Sequence, residues 1–240
     1  MKTRTAPNFP RLIAVLVATV VAATALAASA AAAPVGIYRN AMDSDAQRRA
    51  ITKLDGQSCG RGGSERAFRI RIGKRTRECL YRTPVVGRDL EIAATARLLS
   101  GTPKGLRRSA FVSVSLRTGR AGAGYQLLVF PLQRKTQLLR RASDGKRKYV
   151  AIEQNVGTVK GVGQANQLRL RAFNVTRGPD KGRSRILAFV GGELVANVTD
   201  DASGELQGRA SGFSVGAKRA AKGLVGSVDD VVIRVPNPFE

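Results

Sequence analysis

The chain contains no histidine and no tryptophan in 240 residues. Without histidine, an acyl-transfer triad lacks the base that normally takes the nucleophile's proton. A zinc site would have to be built from carboxylates and two cysteines alone. Aromatics are few, with 4 Tyr and 8 Phe. A single-stranded nucleic-acid platform uses stacked aromatic rings, and no run of them is visible. Nucleic acid is therefore not the expected biological partner. Acids are also scarce, 17 against 41 Lys and Arg.

The first segment has a basic-then-apolar order. Lys2, Arg4 and Arg11 precede a charge-free stretch, Leu12 to Ala33, that ends in small residues before Pro34. This order reads as a secretory signal cleaved near Pro34. The run is also long enough to span a bilayer as an uncleaved anchor. Its Ala-rich tail and small-residue end favour cleavage. Export gives the two cysteines a role. Cys59 and Cys79 are expected to form a disulfide, worth roughly 3 kcal/mol in the chain-entropy picture.

Three of the 41 basic residues and none of the 17 acids precede Pro34, which leaves +21 on the remainder. Such a charge attracts acidic polysaccharide or another anionic cell-envelope polymer. Arginine outnumbers lysine 30 to 11 and alanine is frequent. A compositional bias of that kind also produces a generally basic, soluble surface with no dedicated ligand.

Residues 34–66 are expected to be a lead-in. Asp43 or Asp45 would cap a short helix through Ala46–Leu54, and Cys59-Gly-Arg-Gly-Gly-Ser would be a loop. From residue 67 the apolar period becomes two, with Phe68, Ile70 and Ile72 alternating with Arg69 and Arg71. Strands are expected at 89–99, 110–117, 125–132, 135–140, 148–153, around 168–171, 186–190, 194–198, 206–215 and 225–235. Gly191-Gly192 is a hairpin signal. No helical period persists after residue 60, so residues 67–240 read as an all-β sandwich or barrel.

Five stretches carry a resemblance in order and spacing: GRDLEIAATARLL, GYQLLVFPLQRKTQLLRR, ANQLRLRAFN, ILAFVGGELVANVTD and GSVDDVVIRVP. Together they resemble the concanavalin A-like lectin/glucanase superfamily, which includes laminin G-like domains and the 3-keto-disaccharide hydrolase-like family. The resemblance covers roughly residues 89–235. It implies a jelly-roll sandwich of two antiparallel sheets. It leaves function open, because the superfamily holds lectins, glycosidases and adhesion modules.

Glycoside hydrolysis needs two carboxylates across the scissile bond. Related glucanases place acids at alternate strand positions, and that full motif is missing here. The nearest approach is Asp89 with Glu91, and Glu153 is a further lone acid. A hydrolase would need them to face one another. The rim calcium of laminin G-like domains has its counterparts in Asp200-Asp201 and Asp229-Asp230, although the net positive charge opposes a strong cation site. The positive feature is basic. Lys135, Gln137, Arg169 and Arg171 occupy alternate strand positions and would line a shallow groove if their strands shared a sheet. The expected function is a secreted, non-catalytic module for an acidic glycan. A hydrolase or an adhesion domain with a protein partner are the alternatives.

Overall fold

The computed structural model describes residues 36–236 except 57, 64–66, 120–121, 143, 145, 202–205 and 207–208. The expected leader and cleavage point near Pro34 lie outside the described residues. The rest is an all-β sandwich of two antiparallel sheets.

The eight-stranded sheet runs, in spatial order, β13 (Glu193–Asp200), β12 (Ser184–Val190), β11 (Asn166–Asn174), β6 (Leu90–Leu98), β15 (Val225–Arg234), β4 (Phe68–Ile72) and β3 (Cys59–Gly63). Strand β1 (Gly36–Asn40) also pairs with β15, and Gly36 stands opposite Arg234. The seven-stranded sheet runs β10 (Arg147–Glu153), β9 (Lys135–Arg141), β8 (Gly124–Phe130), β7 (Ala110–Thr118), β14 (Ala210–Ala217), β5 (Glu78–Val86) and β2 (Thr52–Asp55).

Alternation explains how the sheets meet. Phe68, Ile70 and Ile72 point inward from β4 while Arg69 and Arg71 stay exposed. Leu90, Ile92, Ala94, Ala96 and Leu98 do the same from β6, and Val112, Val114 and Leu116 answer from β7. Burying side chains of this size stabilises the fold by about 1.5–3 kcal/mol each. Phe68 packs edge-on against Tyr81 and Phe213, with centroids 4.9 and 5.5 Å away. The β12–β13 hairpin turns on Gly191 and Gly192, both at positive φ (60° and 89°), as a two-residue primed turn requires.

The lead-in departs from the sequence expectation. Its helix α1 spans only Asp45–Arg49, and its cap is Ser44, locked in a capping box with Gln47. The helix stops because Ile51 is buried in the core and residues 52–55 join β5 as an edge strand. The glycine-rich segment is likewise a strand. Cys59–Gly63 pairs with the free edge of β4, with Cys59 opposite Ile72 and Gly62 opposite Arg69. Glycine content signals a loop, but main-chain pairing to an open edge decided this segment. Among the described residues, Gly36–Asn40, Thr52–Asp55 and Cys59–Gly63 are already strands of the two sheets. A single helical turn, α2 (Lys104–Arg107), lies between β6 and β7.

Cys59 and Cys79 form the expected disulfide, with Cα atoms 5.8 Å apart. Because Cys59 is on β3 and Cys79 on β5, the bond links an edge strand of one sheet to the other sheet.

Candidate functional site

The outer faces of the two sheets differ in what their polar residues do. On the seven-stranded sheet, Ser113 and Ser214 alternate with core valines and phenylalanine, so they point away from the core. Glu78 lies beside them. Its Oε1 accepts from Ser214 Oγ at 2.6 Å and from the Gln126 side-chain amide. Its Oε2 accepts from Arg141 at 2.7 Å and from Arg147 at 3.4 Å. Gln126 also donates to Ser113 Oγ at 2.9 Å. Burial raises the Glu78 carboxyl, but the Arg141 charge and the hydrogen bonds from Ser214, Gln126 and Arg141 outweigh it and hold the pKa below its ordinary value. Phe111, Leu128, Phe130 and Leu139 form a second buried apolar cluster on this face. At its rim, β10 exposes Tyr149 and Ile152.

On the eight-stranded sheet the outward positions are arginines. Arg69 and Arg71 come from β4, Arg97 from β6, Arg169 and Arg171 from β11, and Arg39 from β1. Pairing register places them. Arg97, Ser227 and Arg69 share one row across β6, β15 and β4. Arg169, Ala93, Val232 and Arg39 share another across β11, β6, β15 and β1. The small Ala93 leaves space between two long cationic side chains. A groove of about 470 Å³ results, floored by Ala93 and Thr95 and walled by Gln167, Arg169 and Phe189 on one side and Arg39 and Asp230 on the other. The Arg169 guanidinium lies 3.8 Å from the Phe189 ring centroid, which restrains it without neutralising it. Asp230 reaches the groove from a bulge between Asp229 and Val232, at a positive φ of 48°. Among the described residues, Arg39, Arg69, Arg71, Arg97 and Arg169 form no ion pair.

No protein-family model matches the chain, and no curated protein does. Solved structures do match. One is the carbohydrate binding module CBM66 from Bacillus subtilis, at 13% identity and TM-score 0.55, over 77% of this chain and 95% of that one. Another is the carbohydrate recognition domain of Emp46p in its metal-free form, at 12% identity and TM-score 0.56, over 83% and 95%. A third is an alginate lyase mutant in complex with alginate tetrasaccharide, at 10% identity and TM-score 0.51, over 85% and 98%. The chain has the lectin-like jelly-roll fold.

Within this jelly roll the four expected basic-groove residues separate. Lys135 and Gln137 lie on β9 of the seven-stranded sheet, and Arg169 and Arg171 on β11 of the other. They face opposite sides of the sandwich and form no common groove. Lys135 stands opposite Phe130, and Gln137 is buried between Leu128 and Ile152. Arg171 is taken up by Glu91, donating Nε and a terminal nitrogen to one oxygen at 2.9 and 2.8 Å. Only Arg169 of the four lines the eight-stranded groove.

The candidate acids do not converge either. Glu91 is 1% exposed and tied to Arg171. Asp89 accepts from Arg117 at 3.2 Å and from the Asn174 backbone N–H at 3.1 Å. Glu153 is exposed at the end of β10, on the other sheet. A facing pair of carboxylates is therefore not formed by these three.

The jelly roll's two acidic doublets are engaged locally. Asp200 accepts from the Tyr125 hydroxyl at 2.9 Å and pairs with Arg140 at 3.5 Å. Burial and the Asp200 charge push the Tyr125 hydroxyl well above its ordinary pKa. Asp201 pairs with Arg183 at 2.7 Å. Asp229 accepts the Asp230 backbone N–H at 2.8 Å, and burial raises its pKa. Among the described residues no three acids or cysteines gather around one point.

Sequence reasoning missed Arg39, Thr95, Gln167 and Phe189 of the groove, and named Asp230 only as a calcium candidate. The available signal was the Ala93–Thr95 stretch, whose small side chains open space on a face otherwise carrying arginine. It also missed Glu78, because an acid beside a cysteine in a basic segment gives no sign of being buried.

Proposed function

We propose that the chain is a secreted, non-catalytic module that binds an acidic glycan through the outer face of its eight-stranded sheet. The observation that carries this reading is that Arg39 and Arg169, which form no ion pair among the described residues, line one groove together with polar and apolar side chains. Arginine meets carboxylate or sulfate with paired hydrogen bonds. Gln167, Thr95 and Asp230 offer partners for sugar hydroxyls, and Phe189 and Ala93 offer an apolar surface for a ring. The lectin-like neighbours support a glycan as the ligand class, and the one holding an alginate tetrasaccharide shows that a fold of this type accommodates a polyuronate. The seven-stranded face supports the reading by contrast, since its central carboxylate and arginine already satisfy each other.

Binding to polygalacturonate, followed by calorimetry at low ionic strength, tests the proposal. Association that weakens steeply as salt is added is expected. No association at low ionic strength with carboxylated or sulfated polysaccharides overturns it. Release of new reducing ends from the bound polymer overturns the non-catalytic part.

A further inference from the structure

The arginines of the eight-stranded face extend past the groove, farthest toward the end of β6. Toward the start of β6, the row after Ala93 holds Glu91 between Arg171 and Arg234. There the Arg171–Glu91 pair is buried, so this end offers no exposed cation from that pair. Toward the end of β6, the next outward positions are Thr95 and then Arg97. Arg97 shares its row with Arg69, and Arg71 follows two residues along β4.

Strand geometry sets the scale. Arg97 lies about 14 Å from Arg169 by Cα position, four residues along and one strand across. Arg69 is about 10 Å farther across two strand spacings, and Arg71 about 7 Å beyond along β4. The track from Arg169 to Arg71 therefore measures roughly 25 Å, more than one or two sugar rings occupy. Ser227, between Arg97 and Arg69, is small and buried, so nothing bulky interrupts the row. Gly62 and Gly60 stand opposite Arg69 and Arg71 on β3, which keeps the far side low as well.

Resting on the acidic-glycan reading, we propose that this face holds an interior stretch of a linear acidic polysaccharide. One acidic sugar sits in the groove between Arg39 and Arg169, and later units of the same chain lie across Arg97, Arg69 and Arg71. The groove lies over β6, between residues of β11–β12 and residues of β1 and the β15 bulge. Arg97 lies beyond one end of it and Arg234 beyond the other, so cations meet a chain that continues past the groove in either direction. Asp230 in the wall contributes to selectivity. It accepts hydroxyl hydrogen bonds and repels a second carboxylate, so it favours a polymer whose charges are spaced by hydroxyl-bearing rings over a dense run of anions.

The test uses galacturonate oligomers of one, two, four and six residues with the intact protein, by titration calorimetry. Affinity should rise about tenfold or more between the dimer and the hexamer, as successive contacts on one ligand accumulate. The triple variant Arg69→Ala/Arg71→Ala/Arg97→Ala should bring the hexamer close to the dimer's affinity and leave the dimer unchanged. Arg169→Ala should weaken both. Borohydride reduction of the hexamer's end should not change its binding. A hexamer that binds no tighter than the dimer overturns the proposal, as does a triple variant that binds it normally or binding that is lost on end reduction. In those cases the acidic-glycan reading stands. If none of the oligomers binds at low ionic strength, that reading falls and the track with it. Thermal unfolding of each variant confirms that the fold is kept.

Discussion

Glu78 and Arg169 both face away from the core, one on each sheet, and their surroundings are opposite. Glu78 receives hydrogen bonds from Ser214, Gln126, Arg141 and Arg147. Arg169 has an aromatic ring beneath it and no carboxylate partner among the described residues. A buried charge must be compensated where it lies, because desolvation is costly. The half-buried Arg169 guanidinium keeps part of its water and stays available to a ligand. On the proposed reading the two faces separate stability from recognition, although both carry charged groups on outward strand positions.

The largest test of that separation is Glu78→Ala. It leaves Arg141 facing an emptied buried position, and a loss of about 3–5 kcal/mol is expected in chemical denaturation. Arg169→Ala should stay within about 1 kcal/mol, as exposed charges usually do. Equal costs would break the comparison.

Next in size is the disulfide, which ties the edge of the arginine-bearing sheet to the sheet that carries Glu78. Replacing Cys59 and Cys79 with serine should cost about 3 kcal/mol. Oligomer binding per folded molecule should be retained, as read by calorimetry on the folded fraction.

Acid provides a third test. The folded-state pKa of Glu78 lies below its ordinary value of 4.5. The stability it contributes is therefore present above pH 4.5 and is lost as pH falls through the lower folded-state value. Glu78→Gln should flatten the stability profile in that acid window. Arg169→Ala should leave the profile's shape intact, and a profile unchanged by Glu78→Gln would remove the carboxylate from this role.

The smallest effect belongs to Phe189→Ala. Losing the ring under Arg169 removes about 0.5–1 kcal/mol of restraint, which should appear as a two- to fivefold drop in glycan affinity with little change in stability.

Much of the architecture was readable from the alternation in Phe68-Arg-Ile-Arg-Ile and Val112-Ser-Val-Ser-Leu, since a period of two on a strand states which side is buried. The lead-in strands were not readable. Cys59–Gly63 has little side-chain pattern and is held by its backbone alone. The site was less legible than the fold for a related reason. Residues on β9 and β11 look equivalent in sequence, yet β9 pairs with β8 and β10 while β11 pairs with β6 and β12. Which sheet a strand joins is settled by partners far away in the chain. Lys135 and Arg169 could therefore be recognised as outward-facing, but not as facing in opposite directions.

Strand β1 runs antiparallel to β15, with Gly36 opposite Arg234. The start of the first described strand and the end of the last consequently meet at one corner. A short linker should close that corner, and new termini could be cut in the exposed 176–182 loop with the strand pairings kept. Cargo joined directly before Gly36 or after Arg234 would leave the sandwich from the same corner.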